Sequence, residues 1–171
     1  EIRLTGLDPH SAQGDRAMVE ILRDMGAEIR WEGETLVSCA SKLHGLRVDC
    51  AQVPDLVPIL AVAMAAAEGE SRITGAARLR IKESDRLSAM AAALTAAGAD
   101  FSELPDGLII RGGKRLHAAK IEGCNDHRIV MAMTMASEIA DGELMITDAE
   151  ATAKSAPAFW REFEHLGGLA R

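Results

Sequence analysis

The amino-acid sequence predicts an α/β protein with approximate three-fold symmetry, in which helices pack against small sheets. Three stretches resemble one another at a spacing of about 70 residues: EIRLTGL at 1–7, ESRITGA at 70–76 and ELMITDA at 143–149. Each has an acidic start, alternating apolar residues and a turn after Thr, a pattern typical of a strand. Helix-like segments recur between these strands, so each repeat supplies both kinds of element in a fixed order.

The first helix of each repeat follows its opening strand. GDRAMVEILRDMGAE at 14–28 matches SDRLSAMAAALTAAGAD at 84–100, because both begin with Asp-Arg after a small residue and end in Gly-Ala-acid. A capping residue before an apolar run and Gly after it are start and stop signals of a helix. A hairpin follows each helix, with turns predicted at Glu-Gly (32–33) and Pro-Asp-Gly (105–107).

The second helix of each repeat is predicted within 53–70 and 124–143, where Asp lies near the start and Gly at the end. The order per repeat is therefore strand, helix, strand, strand, helix. A third repeat begins with ELMITDA and the helix around APAFWREFEHLGG, then stops. No linker or low-complexity stretch divides the chain, so residues 1–171 are expected to form a single domain. The chain opens inside a strand pattern without Met, so part of the native protein is expected to be missing.

Composition excludes several function classes. The net charge is −7, aromatic residues make up 3% and Tyr is absent, which argues against nucleic acid as a partner. The longest apolar run, at 56–67, is too short to span a bilayer, so no membrane partner is expected. Three scattered cysteines without a CxxC pair favour a reduced, cytoplasmic protein, and the five histidines lack metal-ligand spacing.

Charge is concentrated where helices begin, most densely in RIKESDR. A helix N-terminus carries partial positive charge and attracts anions. If the repeats are related by symmetry, their matching ends share one face, and three cations, Arg86, Arg128 and Lys154, could converge with Asp55 and Glu83. Such a cluster suits a substrate with carboxylate and phosphate groups, and a neighbouring carboxylate could act as acid or base.

The spacing of these charged residues does not exclude purely structural roles for them. Asp55 and Asp126 could be merely helix caps, and Arg86 and Arg128 could be surface residues of exposed helices. Asp85 is expected to cap its helix or orient Arg86. Arg16 occupies the position that matches Arg86 in the first repeat, and we expect it to pair with a carboxylate in a structural role.

Three motifs, RIKESDRL, NDHRIVMAM and TAKSAPAFW, in this order, resemble the C-terminal half of the 5-enolpyruvylshikimate-3-phosphate synthase (EPSP synthase) family. The resemblance runs the length of the chain and includes SAQGDRAMVEILRDMGA and VPDLVPILAVAMA. KESDR followed by NDHR at this spacing is highly specific. The resemblance implies one lobe of the enolpyruvyl transferase fold, an inside-out α/β barrel of βαβαββ units, incomplete at its N-terminus and without the other lobe.

The family resemblance also implies an activity. It is transfer of the enolpyruvyl (1-carboxyvinyl) group from phosphoenolpyruvate to the 5-hydroxyl of shikimate-3-phosphate, with release of phosphate, in aromatic amino acid biosynthesis. No metal or organic cofactor is implied. The expected partners are the two substrates and the missing N-terminal lobe. The isolated chain is expected to bind substrate weakly and to be inactive.

By the same resemblance, six residues receive roles. Asp55 is similar to the family's proton acceptor near the 5-hydroxyl, and Glu83 to a carboxyl group that transfers a proton at the enolpyruvyl methylene. Lys82 is similar to a contact of shikimate-3-phosphate. The cations similar to those that hold phosphoenolpyruvate are Arg86, Arg128 and Lys154.

Two other functions are compatible with the sequence. A related carboxyvinyl transferase that acts on a UDP-sugar shares the fold and phosphoenolpyruvate, although the pair of motifs KESDR and NDHR favours the shikimate enzyme. A non-catalytic repeat module could instead bind a partner through the same basic face. Thermal stabilisation by each candidate ligand separates these possibilities.

Overall fold

The computed structural model describes residues 1–171 as nine strands and five α-helices joined by short turns and 3₁₀ segments. The strands are β1 (Ile2–Leu4), β2 (Ile29–Glu32), β3 (Thr35–Ser38), β4 (Arg47–Asp49), β5 (Glu70–Thr74), β6 (Asp100–Leu104), β7 (Gly107–Arg111), β8 (Leu116–Ile121) and β9 (Ala140–Ile146). The helices are α1 (Ala17–Asp24), α2 (Val57–Ala66), α3 (Arg86–Ala96), α4 (His127–Ala136) and α5 (Phe159–His165). The chain is thus a mixed α/β protein, as predicted.

The strands form three small sheets that repeat one pattern. The most complete has the order β4-β5-β7-β6, in which β4 and β5 are parallel and the other neighbours antiparallel. The sheet β1-β3-β2 is wholly antiparallel, and β8 pairs with β9 in parallel. β1, β5 and β9, which the repeated sequence pattern related to one another, therefore occupy corresponding places in the three sheets.

Both predicted hairpins are present, with a small shift at their turns. β2 and β3 are joined by residues 33–34, one position later than predicted, and Gly33 there has a φ of 62°. β6 and β7 are joined by residues 105–106, while Gly107 already belongs to β7 and pairs with Leu104. Gly33 occupies the left-handed region, which glycine enters without steric cost.

The predicted order of elements was wrong in one respect, because it omitted β4 and β8. β4 has only three residues, of which Arg47 and Asp49 are exposed, and β8 contains the weak strand formers Ala-Ala-Lys. Parallel pairing with β5 and β9 makes them strands, and local sequence does not reveal that pairing. With β4 included, the elements β4-α2-β5-α3-β6-β7 read βαβαββ, the unit that the resemblance implied.

Helices α2, α3 and α4 pack against one another and carry much of the core. α2 is apolar around most of its circumference, and seven of its ten residues are buried, as expected of a helix surrounded by protein. The frequent alanines in α2 and α3 allow close approach between the helices. No helix in the structure has the length and apolar character that crossing a bilayer would require.

Candidate active site

The starts of α2, α3 and α4 meet at one end of the core. Asp85 caps α3 by accepting a hydrogen bond from the backbone N–H of Ser88 at 3.1 Å, and Asp126 caps α4 through the N–H of Arg128 at 2.9 Å. A 3₁₀ turn at Pro54–Leu56 leads into α2. Because helix N-termini carry partial positive charge, their convergence prepares this end of the core for anionic groups.

Arg86, the first residue of α3, lies at the centre of this end and is only 1% exposed. Its Nε donates to Asp126 Oδ2 at 2.8 Å, its Nη1 to Asp55 Oδ1 at 2.9 Å, and its Nη2 to Glu83 Oε2 at 2.6 Å. An arginine is almost never fully buried unless it is paired, and here three carboxylates surround it. The alternative interpretation of Arg86 as an exposed helix residue is therefore wrong.

Asp55 joins two further cations, Lys82 and Arg128, to Arg86. Lys82 Nζ lies 3.3 Å from Asp55 Oδ1, and Arg128 Nη1 donates to the backbone oxygen of Asp55 at 3.0 Å. Arg128 Nη2 also lies 3.6 Å from Oδ2. Partial burial alone would raise the pKa of the Asp55 carboxyl, but Arg128, Lys82 and Arg86 outweigh it and the pKa is lowered. Asp55 is thus ionised at neutral pH.

Asp126 is the fully buried carboxylate of the cluster. It is 0% exposed and accepts hydrogen bonds from Arg86, from Ser84 Oγ at 3.0 Å and from the backbone N–H of Arg128. Burial raises its pKa, and these hydrogen bonds more than reverse that effect, so its pKa is lowered. Sequence reasoning found only the capping role. The motif NDHR contains this Asp, but the sequence does not reveal that its side chain is buried or that it contacts Arg86.

Lys154 lies beside this cluster without touching its carboxylates. It ends the 3₁₀ segment Ala149–Lys154, and its Nζ donates to the backbone oxygen of Asn125 at 2.5 Å and to Asn125 Oδ1 at 2.8 Å. Asn125 directly precedes Asp126 in the chain. The structure therefore brings five predicted residues into contact around Asp55 and Arg86, and places the sixth, Lys154, on the adjoining turn.

Of two secondary expectations, the capping role of Asp85 is confirmed and the ion pair of Arg16 is wrong. Asp85 caps α3 but forms its ion pair with Arg80 at 3.0 Å, so it does not orient Arg86 directly. Arg16 donates to the carbonyl oxygen of Pro9 and has no carboxylate partner, so the expected ion pair was wrong. The structure contains no group of three or more His, Cys, Asp or Glu side chains placed to hold a metal ion.

Comparison with known proteins identifies the family. Residues 1–163 match the family model described as EPSP synthase (3-phosphoshikimate 1-carboxyvinyltransferase). The chain belongs to the EPSP synthase family. A relative from Clostridium novyi (strain NT), named 3-phosphoshikimate 1-carboxyvinyltransferase, is 45% identical over 168 residues, covering 98% of this chain and 39% of the relative. A relative of the same name from Halobacterium salinarum is 47% identical over 167 residues, covering 96% of this chain and 38% of the relative.

Two solved structures share this fold. The EPSP synthase from Acinetobacter baumannii aligns with a TM-score of 0.80 and 33% identity, covering 97% of this chain and 41% of that one. The enolpyruvyl transferase NikO from Streptomyces tendae aligns with a TM-score of 0.79 and 20% identity, and the alignment covers 99% of this chain and 39% of that one. At this identity the match shows a shared fold and nothing more. The predicted enolpyruvyl transferase fold is confirmed, although the three sheets do not close into a barrel. The chain spans about two fifths of the length of its relatives.

Proposed function

We propose that this chain is the C-terminal lobe of a 3-phosphoshikimate 1-carboxyvinyltransferase and supplies part of its active site. The observation that carries the proposal is the buried guanidinium of Arg86, which joins Asp55, Glu83 and Asp126 at the converging starts of three helices. The names of the relatives support the same activity. The whole reaction transfers the enolpyruvyl group of phosphoenolpyruvate to the 5-hydroxyl of shikimate-3-phosphate and releases phosphate.

The cations supply the binding of phosphoenolpyruvate. Arg86, Arg128 and Lys154 present guanidinium forks and an ammonium that suit its carboxylate and phosphate groups. The adjoining helix N-termini add partial positive charge. Because phosphate departs as an anion, the same groups stabilise the charge that develops on the leaving group. Lys82, 3.3 Å from Asp55, is placed for a contact with shikimate-3-phosphate beside the proton acceptor.

The carboxylates supply the proton transfers. In the addition step, the 5-hydroxyl oxygen bonds to C2 of phosphoenolpyruvate, its proton passes to Asp55, and Glu83 delivers a proton to the methylene carbon. A tetrahedral intermediate results. In the elimination step, the bond from C2 to the phosphate oxygen breaks, a methyl proton returns to Glu83, and the enolpyruvyl double bond forms. The proton held by Asp55 leaves with the phosphate, so both carboxyl groups return to their starting states. Such general acid and base steps typically contribute about 10²–10⁴-fold each.

Substrate binding also changes the pKa of the Asp55 carboxyl. Its lowered pKa keeps it deprotonated, as a proton acceptor must be, but makes it a weak base while Arg128 and Lys82 face it. When substrate anions draw these cations away, the pKa of Asp55 rises towards its ordinary value. The carboxylate therefore becomes a stronger base only when the substrates are in place.

The proposed partners follow from the length of the relatives. The chain covers about two fifths of them, so we assign the remainder of the active site to the other lobe of the same cytoplasmic enzyme. The isolated chain is expected to bind phosphoenolpyruvate and shikimate-3-phosphate weakly and to show no turnover. Phosphate release measured on the chain alone would contradict this expectation.

Thermal shift measurements test the substrate assignment. Phosphoenolpyruvate, shikimate-3-phosphate and a UDP-sugar are added separately to the chain, to Arg128→Met and to the control Arg111→Met. Arg111 is half-exposed on β7 and pairs with Glu70 and Asp100, away from the cluster. We expect phosphoenolpyruvate to stabilise wild type and the control but not Arg128→Met, and shikimate-3-phosphate to stabilise all three because Lys82 is retained. Stabilisation by the UDP-sugar instead, or by none of the three, would overturn the proposal.

A further inference from the structure

Lys154 differs from the other cations in how it is held. Both of its hydrogen bonds go to neutral oxygens of one residue, the carbonyl and the side-chain amide of Asn125. No carboxylate lies within ion-pair distance of its ammonium, whereas Arg86 contacts three carboxylates. Neutral acceptors fix the position of the ammonium without cancelling its charge, so its attraction for an incoming anion is preserved.

The backbone that carries these acceptors is unusual. Cys124 and Asn125 both adopt left-handed conformations, with φ of 54° and 49°. Asn adopts the left-handed conformation more readily than most residues, whereas for Cys this conformation carries its full steric cost. Asp148, itself at φ 56°, accepts the Asn125 backbone N–H at 2.9 Å and so holds the turn in place. Uncommon backbone conformations persist where the surroundings enforce them, and they cluster at functional sites.

We propose that Asn125 is a positioning residue for Lys154. Its left-handed turn aims a backbone oxygen and an amide oxygen at one ammonium, beside Asp126 and the buried Arg86. This inference rests on the proposed function, because the positioned charge serves the phosphoenolpyruvate site. A carboxylate at position 125 would hold Lys154 equally well but would neutralise it, which explains why an amide suits the position.

Titration calorimetry with phosphoenolpyruvate and with inorganic phosphate measures the effect on binding. Asn125→Gly keeps the left-handed turn and the carbonyl but loses the amide oxygen, and we expect binding about threefold to tenfold weaker. Asn125→Asp keeps the shape but adds a competing anion, so we expect a larger loss. Cys124→Gly is the matched control: it relaxes the neighbouring left-handed residue without touching Lys154, and we expect unchanged binding.

A double-mutant cycle with Lys154→Ala separates positioning from a general structural role. If Asn125 acts through Lys154, Asn125→Gly weakens binding no further once Lys154 is replaced. Fully additive losses, or an equal loss in Cys124→Gly, would overturn the inference. In the full-length enzyme, the same non-additivity is expected in the KM for phosphoenolpyruvate.

A ligand-free measurement keeps the inference distinct from the proposed function. In ¹H–¹⁵N spectra of the lysine ammonium groups, the signal of Lys154 is expected to be protected from exchange in wild type and Cys124→Gly, and to exchange faster in Asn125→Gly, which keeps only the hydrogen bond to the carbonyl. Absence of phosphoenolpyruvate binding by wild type would refute the proposed function alone. An exchange rate of Lys154 in Asn125→Gly equal to that in wild type would refute the positioning role alone.

Discussion

Replacing Asp126 by Asn is expected to destabilise the chain strongly. Asp126 and Arg86 are 0% and 1% exposed, so the change leaves a buried guanidinium without its buried counter-charge. Removing one partner of a buried ion pair typically costs about 3–5 kcal/mol. Arg86 keeps Asp55 and Glu83, and the Asn oxygen can still accept one hydrogen bond, so we expect about 3 kcal/mol, the lower end of that range. For a chain of this size, that corresponds to a decrease in Tm of about 6–12 °C.

Asp85→Asn is the matched control, measured with Asp126→Asn by urea and thermal unfolding. Both residues cap helices, and Asn caps as well as Asp, so capping is retained in both variants. Asp85 is 39% exposed at its side chain and pairs with Arg80 near the surface, so its loss is expected to cost no more than about 1 kcal/mol. Equal decreases in Tm for the two variants would show that the buried pair contributes no more than the exposed one.

Three other measurements test the structure. The free energy of unfolding is expected to fall as pH is lowered below 3.8, the ordinary pKa of aspartate. Asp55 and Asp126 have lowered pKa values in the folded chain, so their protonation at acid pH favours the unfolded state. A free energy of unfolding that stays constant in urea denaturation at acid pH would contradict this. Gly107→Ala would place its Cβ only 1.9 Å from the backbone oxygen of Ile73, so we expect a loss of about 2–3 kcal/mol, and an unchanged Tm would refute that close approach. Cys50 is buried with its pKa raised by burial to about 11, so a thiol reagent at pH 8 is expected to modify it only on unfolding, and rapid modification of all three thiols would contradict its burial.

Sequence reasoning worked best for features with a local cause. Capping residues and terminal glycines indicate helices, and hairpin turns have their own residue preferences. Each α-helix therefore lies within its predicted segment, and each hairpin turn lies within one residue of its predicted position. β4 and β8 were not found, because they become strands through parallel pairing with β5 and β9, which lie more than twenty residues away. Non-local pairing leaves little trace in short segments of Ala, Lys and Arg.

In the candidate site, too, some residues could be predicted from sequence patterns and others depend on the folded structure. Repetition of helix starts correctly led to Asp55, Glu83 and Arg86 in contact, since corresponding ends of repeats meet at one end of the core. The expectation was wrong for Arg16, which forms no ion pair although Asp15 precedes it, and instead binds a carbonyl of its own loop. Asn125 was missed because its importance depends on a left-handed backbone conformation, which no spacing pattern encodes.

Four of the five N–H donors of the Arg86 guanidinium already bind Asp55, Glu83 and Asp126. An anion that binds Arg86 through more than one hydrogen bond must therefore displace Glu83 or Asp55. Asp126 is too deeply enclosed to be displaced. A ligand bearing two anionic groups could engage Arg128 and Lys154 at the same time as it displaces a carboxylate, whereas a monovalent ion such as chloride could not. We therefore expect the internal carboxylates to favour multiply charged ligands over simple salts in the proposed site.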